Sequence, residues 1–558
     1  MAMKYNVCPR VKKYEPLSGT LCVTTLKVFA AGEADLFFSS MKIFLPDLQV
    51  EKCGYKEANV RLSVAKDFSP YPEYCNMRIR ENAVEIHCND RLGARNASAI
   101  LVQLLKKTEC GYLLDCANLE DWPDAQYRCV MEESSGRVWV PMETLKRHIR
   151  ETALCRYNAY MLHFMEDKGC TIYLKSAPKL KGFGPENLKY TREEFDDMMA
   201  YCAALGLRVI PFVEILSHAS DFAISEGIAC PGDDPKNLFD VCLGQEKTFE
   251  VIEGVVDELA ELFPDEVVHI GADEYDMSLV TPMTAHWDKC PHCLATAKKK
   301  GFTTLREMFY YGLQRINEIL NARGKIMMIW NADLRHGYIP DWLDRNILVH
   351  YYRACNDLGR EDIYNLNING YAEDGFSVIN SYAKVTYMHL PDGYMNTNKL
   401  YNWSYRALPM VNRDCYGKVP GGCLCIWEEH EHHRRSVAPA IALFADRLWN
   451  GDTDTVTYDE KYGALLTKVI FDGRLPEGTN VFACIGDVLP PLHSETLGYP
   501  RMATADAATV AATREALVAL GDDDLAVAYI EAIDWVAEEK KKREAYTGPR
   551  SDRIAFVD

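Results

Sequence analysis

The spacing of hydrophobic and polar positions changes along the chain, and the changes divide it into three parts. Through Asn59–Ala65 and Arg78–Cys88, apolar and polar residues alternate with the period of a half-buried strand, and Glu81-Asn82 supplies a turn. Ala97, Ile100, Leu101, Leu104 and Leu105 then recur at helical spacing, a stripe that lays one helix face on that sheet. This pattern predicts a small α+β domain over residues 1–124. Trp122-Pro123-Asp124 closes it, because proline disfavours helix in the residue before it.

Beyond Ala125 short apolar runs alternate with amphipathic helical stretches such as Phe249–Leu262 and Leu305–Ala322. The runs lie near Arg128–Glu132, Ala159–Met165, Arg208–Leu216, Glu266–Ile270, Lys325–Trp330, Ile347–Tyr351, Ser377–Asn380 and Cys423–Trp427. Eight βα units close most simply into a parallel barrel, so residues 125–455 read as a (β/α)8 TIM barrel in an α/β protein. After Asp452 the alternation stops, and 456–558 reads as a mainly helical extension, with two helical stretches in Ala503–Glu544 divided by Gly521–Asp524.

Composition narrows the function. A net charge of -19 repels a phosphate backbone, which argues against a nucleic-acid partner. No apolar run approaches the roughly 20 residues of a membrane span, and Met1–Tyr14 lacks a signal-peptide core. The 20 cysteines then read as reduced thiols, and the chain as a cytoplasmic protein with no membrane partner. Asn96 and Asn402 open Asn-x-Ser triplets that have no meaning in that compartment.

In a parallel barrel the chemistry sits past the C-terminal ends of the strands. Asp273 and Glu274 follow the fourth run, Glu214 and His218 the third, Glu166 and Asp167 the second, while Trp330 and Trp427 end the fifth and eighth. Flat aromatic faces in an acidic cleft suit the C–H face of a pyranose. Cleaving an acetal requires a proton donor for the leaving oxygen and a second anionic group to stabilise positive charge, roles that adjacent Asp and Glu can divide.

His269-Ile270-Gly271-Ala272-Asp273-Glu274 resembles the His-Ile-Gly-Gly-Asp-Glu signature of glycoside hydrolase family 20, the β-N-acetylhexosaminidases, with Ala272 in place of one glycine. The likeness runs in the family's order through Tyr127-Arg128 with Arg137 downstream, Asn158–Gly169, Gly206–Ala219, Trp330, Val378-Ile379 leading to Tyr387, Gly421–Glu429 and Ala438–Trp449. It covers about residues 1–455.

The resemblance implies a retaining exo-hydrolase that removes terminal β-linked N-acetylglucosamine or N-acetylgalactosamine from a glycan or glycoconjugate. The substrate's own acetamido oxygen is the nucleophile and an oxazolinium the intermediate. Glu274 resembles the general acid and base, and Asp273 the carboxylate that orients the acetamido N–H. Tyr387 resembles the donor to the acetamido oxygen. Arg128 and Glu429 resemble the residues that bind ring hydroxyls, and Trp330, Tyr352 and Trp427 the pocket walls. His218, Glu166, His163 and Glu214 resemble supports of the carboxylates. Several positions depart from the family: Tyr352 stands where Trp is frequent, His389 near Tyr387 where Asp is usual, and Glu166 and Glu214 where the family has Asp. Cys290-Pro291-His292-Cys293 has the spacing of half a zinc site without a second pair at a matching interval, so neither metal nor cofactor is expected. A homodimer is compatible with the sequence. Two other readings stay open: a glycosidase for sugars lacking an acetamido group, using an enzyme carboxylate as nucleophile, and a sugar-binding barrel without turnover.

Overall fold

The fold was analysed in a computed structural model. It describes residues 7–109, 111–136, 138–231, 240–274, 289–304, 306–334, 338–352, 368–388, 400, 403–407, 410–427, 433–451, 460–486 and 503–545.

The N-terminal part is a mixed sheet with two helices on one face. Its strands lie in the order Lys13–Val23, Gly111–Asp121, Cys75–Ile79, Val84–Cys88, Val60–Val64, Thr25–Ala31 and Gln49–Lys52, with the short Lys106–Thr108 beside Gly111–Asp121. Cys75–Ile79 and Val84–Cys88 are the antiparallel pair read from the alternation around Glu81-Asn82. Lys13–Val23 escaped that reading because most of its residues are exposed and it carries no alternation. The helix Arg91–Leu104 begins at Asp90, whose side chain accepts from the backbone N–H of Gly93 at 2.7 Å, a cap worth about 1 kcal/mol. Its apolar stripe packs with Phe37 and Met41 of the helix Asp35–Phe44 against Val60, Leu62, Val84 and Ile86 of the sheet.

Eight parallel strands form the barrel: Tyr127–Glu133, Ala159–Glu166, Arg208–Val213, Val267–His269, Ile326–Trp330, Leu348–Tyr351, Ser377–Asn380 and Gly421–Ile426. Each pairs with the next, and the eighth closes on the first from Gly421↔Tyr127 to Ile426↔Glu132. These strands are apolar without alternation because both faces are covered, one by the barrel interior and one by helices; all residues of Ala159–Glu166 are buried. Cys129, Met131, Met161, Phe212, Met328, Cys423 and Cys425 fill the interior. Above them, Tyr387-Met388 continues the seventh position and pairs with Cys425 and Ile426 of the eighth strand. A separate buried layer joins the barrel to its helices, among them Glu246–Leu262, Arg306–Asn321 and His433–Asn450.

The C-terminal helices Glu460–Ile470, Val481–Ile485, Ala507–Val518 and Asp524–Ala545 pack on the last barrel helix and on each other through Leu466, Phe471, Phe482, Tyr529 and Ile533. Lys468 Nζ also donates to the Gln103 carbonyl at 2.6 Å, tying this region to the N-terminal domain. No described helix is long and apolar enough to cross a membrane.

Candidate active site

The mouth of the barrel gathers five acidic side chains, Glu166, Asp167, Glu214, Asp273 and Glu274, around one histidine. His218 follows the third strand and carries φ of 46°, a left-handed conformation that turns its ring across the mouth. Its Nδ1 lies 3.2 Å from Asp167 Oδ2, and its Nε2 lies 3.4 Å from Glu274 Oε2 and 3.9 Å from Asp273 Oδ2. Asp167 is fixed in turn by the backbone N–H and hydroxyl of Ser220, each 3.2 Å from its Oδ1. Burial opposes a charge on His218, but the hydrogen bonds to Asp167 and Glu274, with Asp273 and Glu214 nearby, prevail and raise its pKa well above the ordinary 6.5. The charged ring is thereby favoured, with its Nδ1 N–H donating to Asp167. Glu274, with 26% of its side chain exposed, and Asp167, with 25%, are the most accessible carboxyls of the group.

Glu214 is the deepest carboxyl. Burial, reinforced by the charge of Asp273, pushes its pKa well above the usual range and favours the protonated acid. Its Oε2 has no hydrogen-bond partner among the described residues. Room for it comes from Gly271: a Cβ there would stand 1.5 Å from Glu214 Oε2, and the φ of 70° is itself glycine-like. The Gly271 carbonyl accepts from the Trp330 N–H at 3.0 Å, which sets the catalytic segment against the end of the fifth strand.

Opposite the acids stands an aromatic cage. Trp330 lies 5.2 Å from Tyr352, 6.2 Å from Tyr387 and 6.2 Å from Trp427 between ring centroids, and Tyr352 and Tyr387 stack in parallel at 6.0 Å. Desolvation, then neighbouring Cys425 and Tyr352 and the Asp273 charge, raise the Tyr387 pKa, so its phenol stays protonated and able to donate. Beneath the cage, Trp330 stacks on His350 at 4.0 Å. A directed chain runs there: the Gly271 N–H donates to His269 Nδ1 at 3.0 Å, His269 Nε2 meets His350 Nδ1 at 3.2 Å, His350 Nε2 meets the Ser381 hydroxyl at 2.8 Å, and that hydroxyl donates to the Cys423 carbonyl at 2.5 Å. Burial lowers the pKa of both histidines, that of His350 to about 3, so both rings are neutral and each donates through Nε2.

The sequence-predicted residues divide as follows. Asp273, Glu274, His218 and Glu214 come together, as do Trp330, Tyr352, Tyr387 and Trp427. His163 supports the cage rather than the acids: it stacks on Phe212 at 3.8 Å, meets Trp427 edge-on at 5.5 Å and pairs with Glu133. Glu166 lies within 4.8 Å of Asp167 and His218, but the carboxylate facing His218 Nδ1 is Asp167. The cause is a register shift between His163 and Met165, which breaks the alternation of the second strand, followed by the antiparallel return of Gly169-Cys170 that leaves Asp167 at the turn. Glu133 is not singled out by the sequence pattern; its Oε1 accepts from the Ser135 N–H at 2.7 Å, the Ser135 hydroxyl at 2.6 Å and the Gly136 N–H at 3.1 Å, shaping the loop after the first strand.

Arg128 is a correction. It is the second residue of its strand, and the steps to Glu133 span about 16 Å at ~3.3 Å per residue, which puts Arg128 at the base of the barrel. It is 1% exposed, and its guanidinium donates to Glu73 Oε2 at 2.5 Å, the Ala125 carbonyl at 2.8 Å and the Arg156 carbonyl at 3.0 Å, leaving nothing directed at a sugar. Arg137, His389 and Glu429 lie outside the described residues.

A parallel barrel with an acid pair and an aromatic cage at its mouth is a fold and site for cleaving glycosidic bonds. The sequence profile described as "Glycosyl hydrolase family 20, catalytic domain" matches residues 126–452, more than half the chain, and the chain belongs to that family of glycoside hydrolases. It is 24% identical over 452 residues to a β-hexosaminidase of Vibrio furnissii, covering 74% of this chain and 69% of that protein. The fold is similar to the crystal structure of a β-N-acetylhexosaminidase from Bacteroides fragilis, with a TM-score of 0.72 at 22% identity, covering 83% of this chain and 95% of that one. It is also similar to an exo-β-N-acetylglucosaminidase from Vibrio harveyi in complex with N-acetylglucosamine, with a TM-score of 0.70 at 19% identity, covering 84% and 78% of the two chains.

Proposed function

We propose that the protein removes terminal β-linked N-acetylhexosamine from the non-reducing ends of glycans, with retention, through an oxazolinium formed by the substrate's own acetamido group. The observation that carries this reading is the pairing of Asp273 and Glu274 around the His218 imidazolium, facing the cage of Trp330, Tyr352, Tyr387 and Trp427. The acetamido group enters the cage. Asp273 accepts its N–H and Tyr387 donates to its carbonyl oxygen, which aims that oxygen at the anomeric carbon. As the new C–O bond forms, the glycosidic C–O bond breaks, and the leaving oxygen takes its proton from Glu274. His218, held by Asp167, stabilises the Glu274 carboxylate left behind. Glu274 then takes a proton from water, the oxygen of which attacks the anomeric carbon and reopens the oxazolinium. Arg137, which follows the C-terminal end of the first strand in sequence, replaces Arg128 as the candidate for the ring hydroxyls. We also assign the protein to a reducing compartment such as the cytoplasm, a reading supported by the buried free thiols and tested by cell fractionation.

Aryl β-glycosides bearing acetamido groups with successive fluorines test the mechanism. Rates should fall steeply with each fluorine, since the carbonyl oxygen loses nucleophilicity, and Glu274→Gln should lower kcat by about 10²–10⁴-fold. Rates indifferent to fluorine, with a sugar ester trapped on a carboxylate, would assign the reaction to an enzyme nucleophile. Binding without turnover would leave a silent sugar-binding barrel.

A further inference from the structure

Four cysteines from separate parts of the sequence meet beside the catalytic loops. Cys230 follows the short helix Ser220–Glu226, Cys242 opens the segment leading into the helix Glu246–Leu262, Cys290 caps the helix Pro291–Lys300, and Cys293 lies in its first turn. All four are buried, and their sulfurs lie within 4.8 Å of one another. The separations are 3.6 Å for Cys242 and Cys290, 3.8 Å for Cys242 and Cys293, and 3.9 Å for Cys230 and Cys293. A disulfide requires about 2.05 Å, so none of these pairs is bonded. Zinc holds four thiolates tetrahedrally at about 2.3 Å, and the edge of that tetrahedron is about 3.8 Å.

We propose that Cys230, Cys242, Cys290 and Cys293 form a structural Cys₄ zinc site. The surrounding backbone is built to hold it. The Cys242 N–H donates to the Ile228 carbonyl at 2.8 Å, the Thr248 hydroxyl to the Cys242 carbonyl at 2.6 Å, and the Thr296 hydroxyl to the Gly244 carbonyl at 3.1 Å. Gly244 is required by close approach, since a Cβ there would stand 2.2 Å from the Cys293 backbone nitrogen. Cys290 and Cys293 stand at the start of the helix Pro291–Lys300, where the positive end of the helix dipole offsets the net negative charge of four thiolates on one Zn²⁺. Cys290 and Cys293 have the two-residue spacing of a zinc half-site, and the fold completes it with Cys230 and Cys242, whose wide spacing resembles no short motif. Sequence alone therefore led to the expectation of no metal.

The position gives the site a purpose. Cys230 and Cys242 lie in the connection after the third barrel strand, downstream of His218. Cys290 and Cys293 lie in the connection after the fourth, downstream of Asp273 and Glu274. One ion fastens together the two loops whose bases carry the acid–histidine group, without touching the reacting atoms. All four sites are closed by protein sulfur, as a structural rather than a catalytic zinc requires.

Metal analysis of the full chain, purified under reducing conditions without chelators, tests this independently of any glycosidase activity. The expected result is one zinc per chain, with X-ray absorption fitting four sulfurs at about 2.3 Å. Cys290→Ser with Cys293→Ser should abolish the metal and lower the melting temperature, whereas Cys22→Ser, at an exposed cysteine of the strand Lys13–Val23, should leave both unchanged. If the double variant fails to fold, the metal content and absorption spectrum of the unaltered protein still decide. Substoichiometric metal with four freely titrating thiols, or a disulfide among them in the mass spectrum, overturns the proposal.

Discussion

Glu214 and His218 hold protons for different reasons, and both make stability depend on pH in the same direction. Glu214 keeps its proton because burial, helped by the neighbouring Asp273 charge, disfavours a second anion. His218 keeps its own because Asp167 and Glu274 outweigh the burial that opposes its charge. In each case the folded state binds the proton more tightly than the unfolded chain does. The stability Glu214 contributes is complete below its ordinary 4.5 and is lost as pH rises through its folded value; that of His218 is complete below 6.5 and is lost in the same way. Glu214→Gln keeps the shape of the protonated acid but cannot ionise. Urea midpoints measured from pH 4.5 upward should show the variant gaining on the wild type as pH rises towards the folded value. Parallel curves would mean that Glu214 is not protonated in the folded state. Such assignments were only partly legible in the sequence. Position after a strand was enough to nominate Glu214 and His218, but choosing Asp167 over Glu166 depended on a bulge that leaves no mark on the apolar pattern.

At the scale of elements, the catalytic segment after the fourth strand is bent by successive left-handed residues. Gly271, Ala272 and Glu274 have φ of 70°, 67° and 57°. For a residue with a Cβ this conformation costs about 1–2 kcal/mol, which gives a physical reason for glycine at the position Ala272 fills and marks the segment as strained for function. Gly271 has no such latitude, because a methyl group would overlap the Glu214 carboxyl as well. Gly271→Ala should destabilise the protein by about 2–5 kcal/mol, from the backbone conformation and from overpacking together. Urea unfolding measures it, and a loss confined to the ~1–2 kcal/mol of the backbone conformation would show that Glu214 can move aside. The barrel strands themselves were readable because burial on both faces makes them continuous apolar runs of the right length. The third and fourth end earlier than their apolar runs, at Val213 and His269, where the chain turns to deliver Glu214 and Gly271. Loop geometry, the bulge and the meeting of distant cysteines depend on contacts that no local period encodes.

At the scale of the molecule, the N-terminal domain is fastened to the base of the barrel by buried charge. Arg128 pairs with Glu73 at 2.5 Å, Arg10 with Asp446 at 2.8 Å, and Arg156 with Asp121, all largely or wholly removed from solvent. Trp449 lies among them, with the Arg156 and Arg128 guanidinium carbons 4.2 Å and 5.0 Å from its ring centroid, and its indole N–H donating to Asp121 at 2.8 Å. Buried pairs of this kind add little over well-packed apolar groups, but losing one partner strands the other charge. Glu73 also accepts from Asn96 at 3.0 Å and Asn158 at 3.3 Å, so it is the hub of this contact, and the nearby Arg128 and Arg95 charges overcome its burial to hold its pKa below the ordinary 4.5. Arg128→Met should therefore destabilise the protein by about 3–5 kcal/mol while leaving KM for an aryl glycoside unchanged. Adding Glu73→Gln, which removes the stranded charge and keeps an oxygen for the asparagines, should restore part of that loss. Urea unfolding and initial rates on the single and double variants separate the two places proposed for this arginine. A raised KM with stability intact would return Arg128 to the sugar, whereas lost stability with KM intact, partly recovered in the double variant, identifies it as the bolt between domain and barrel.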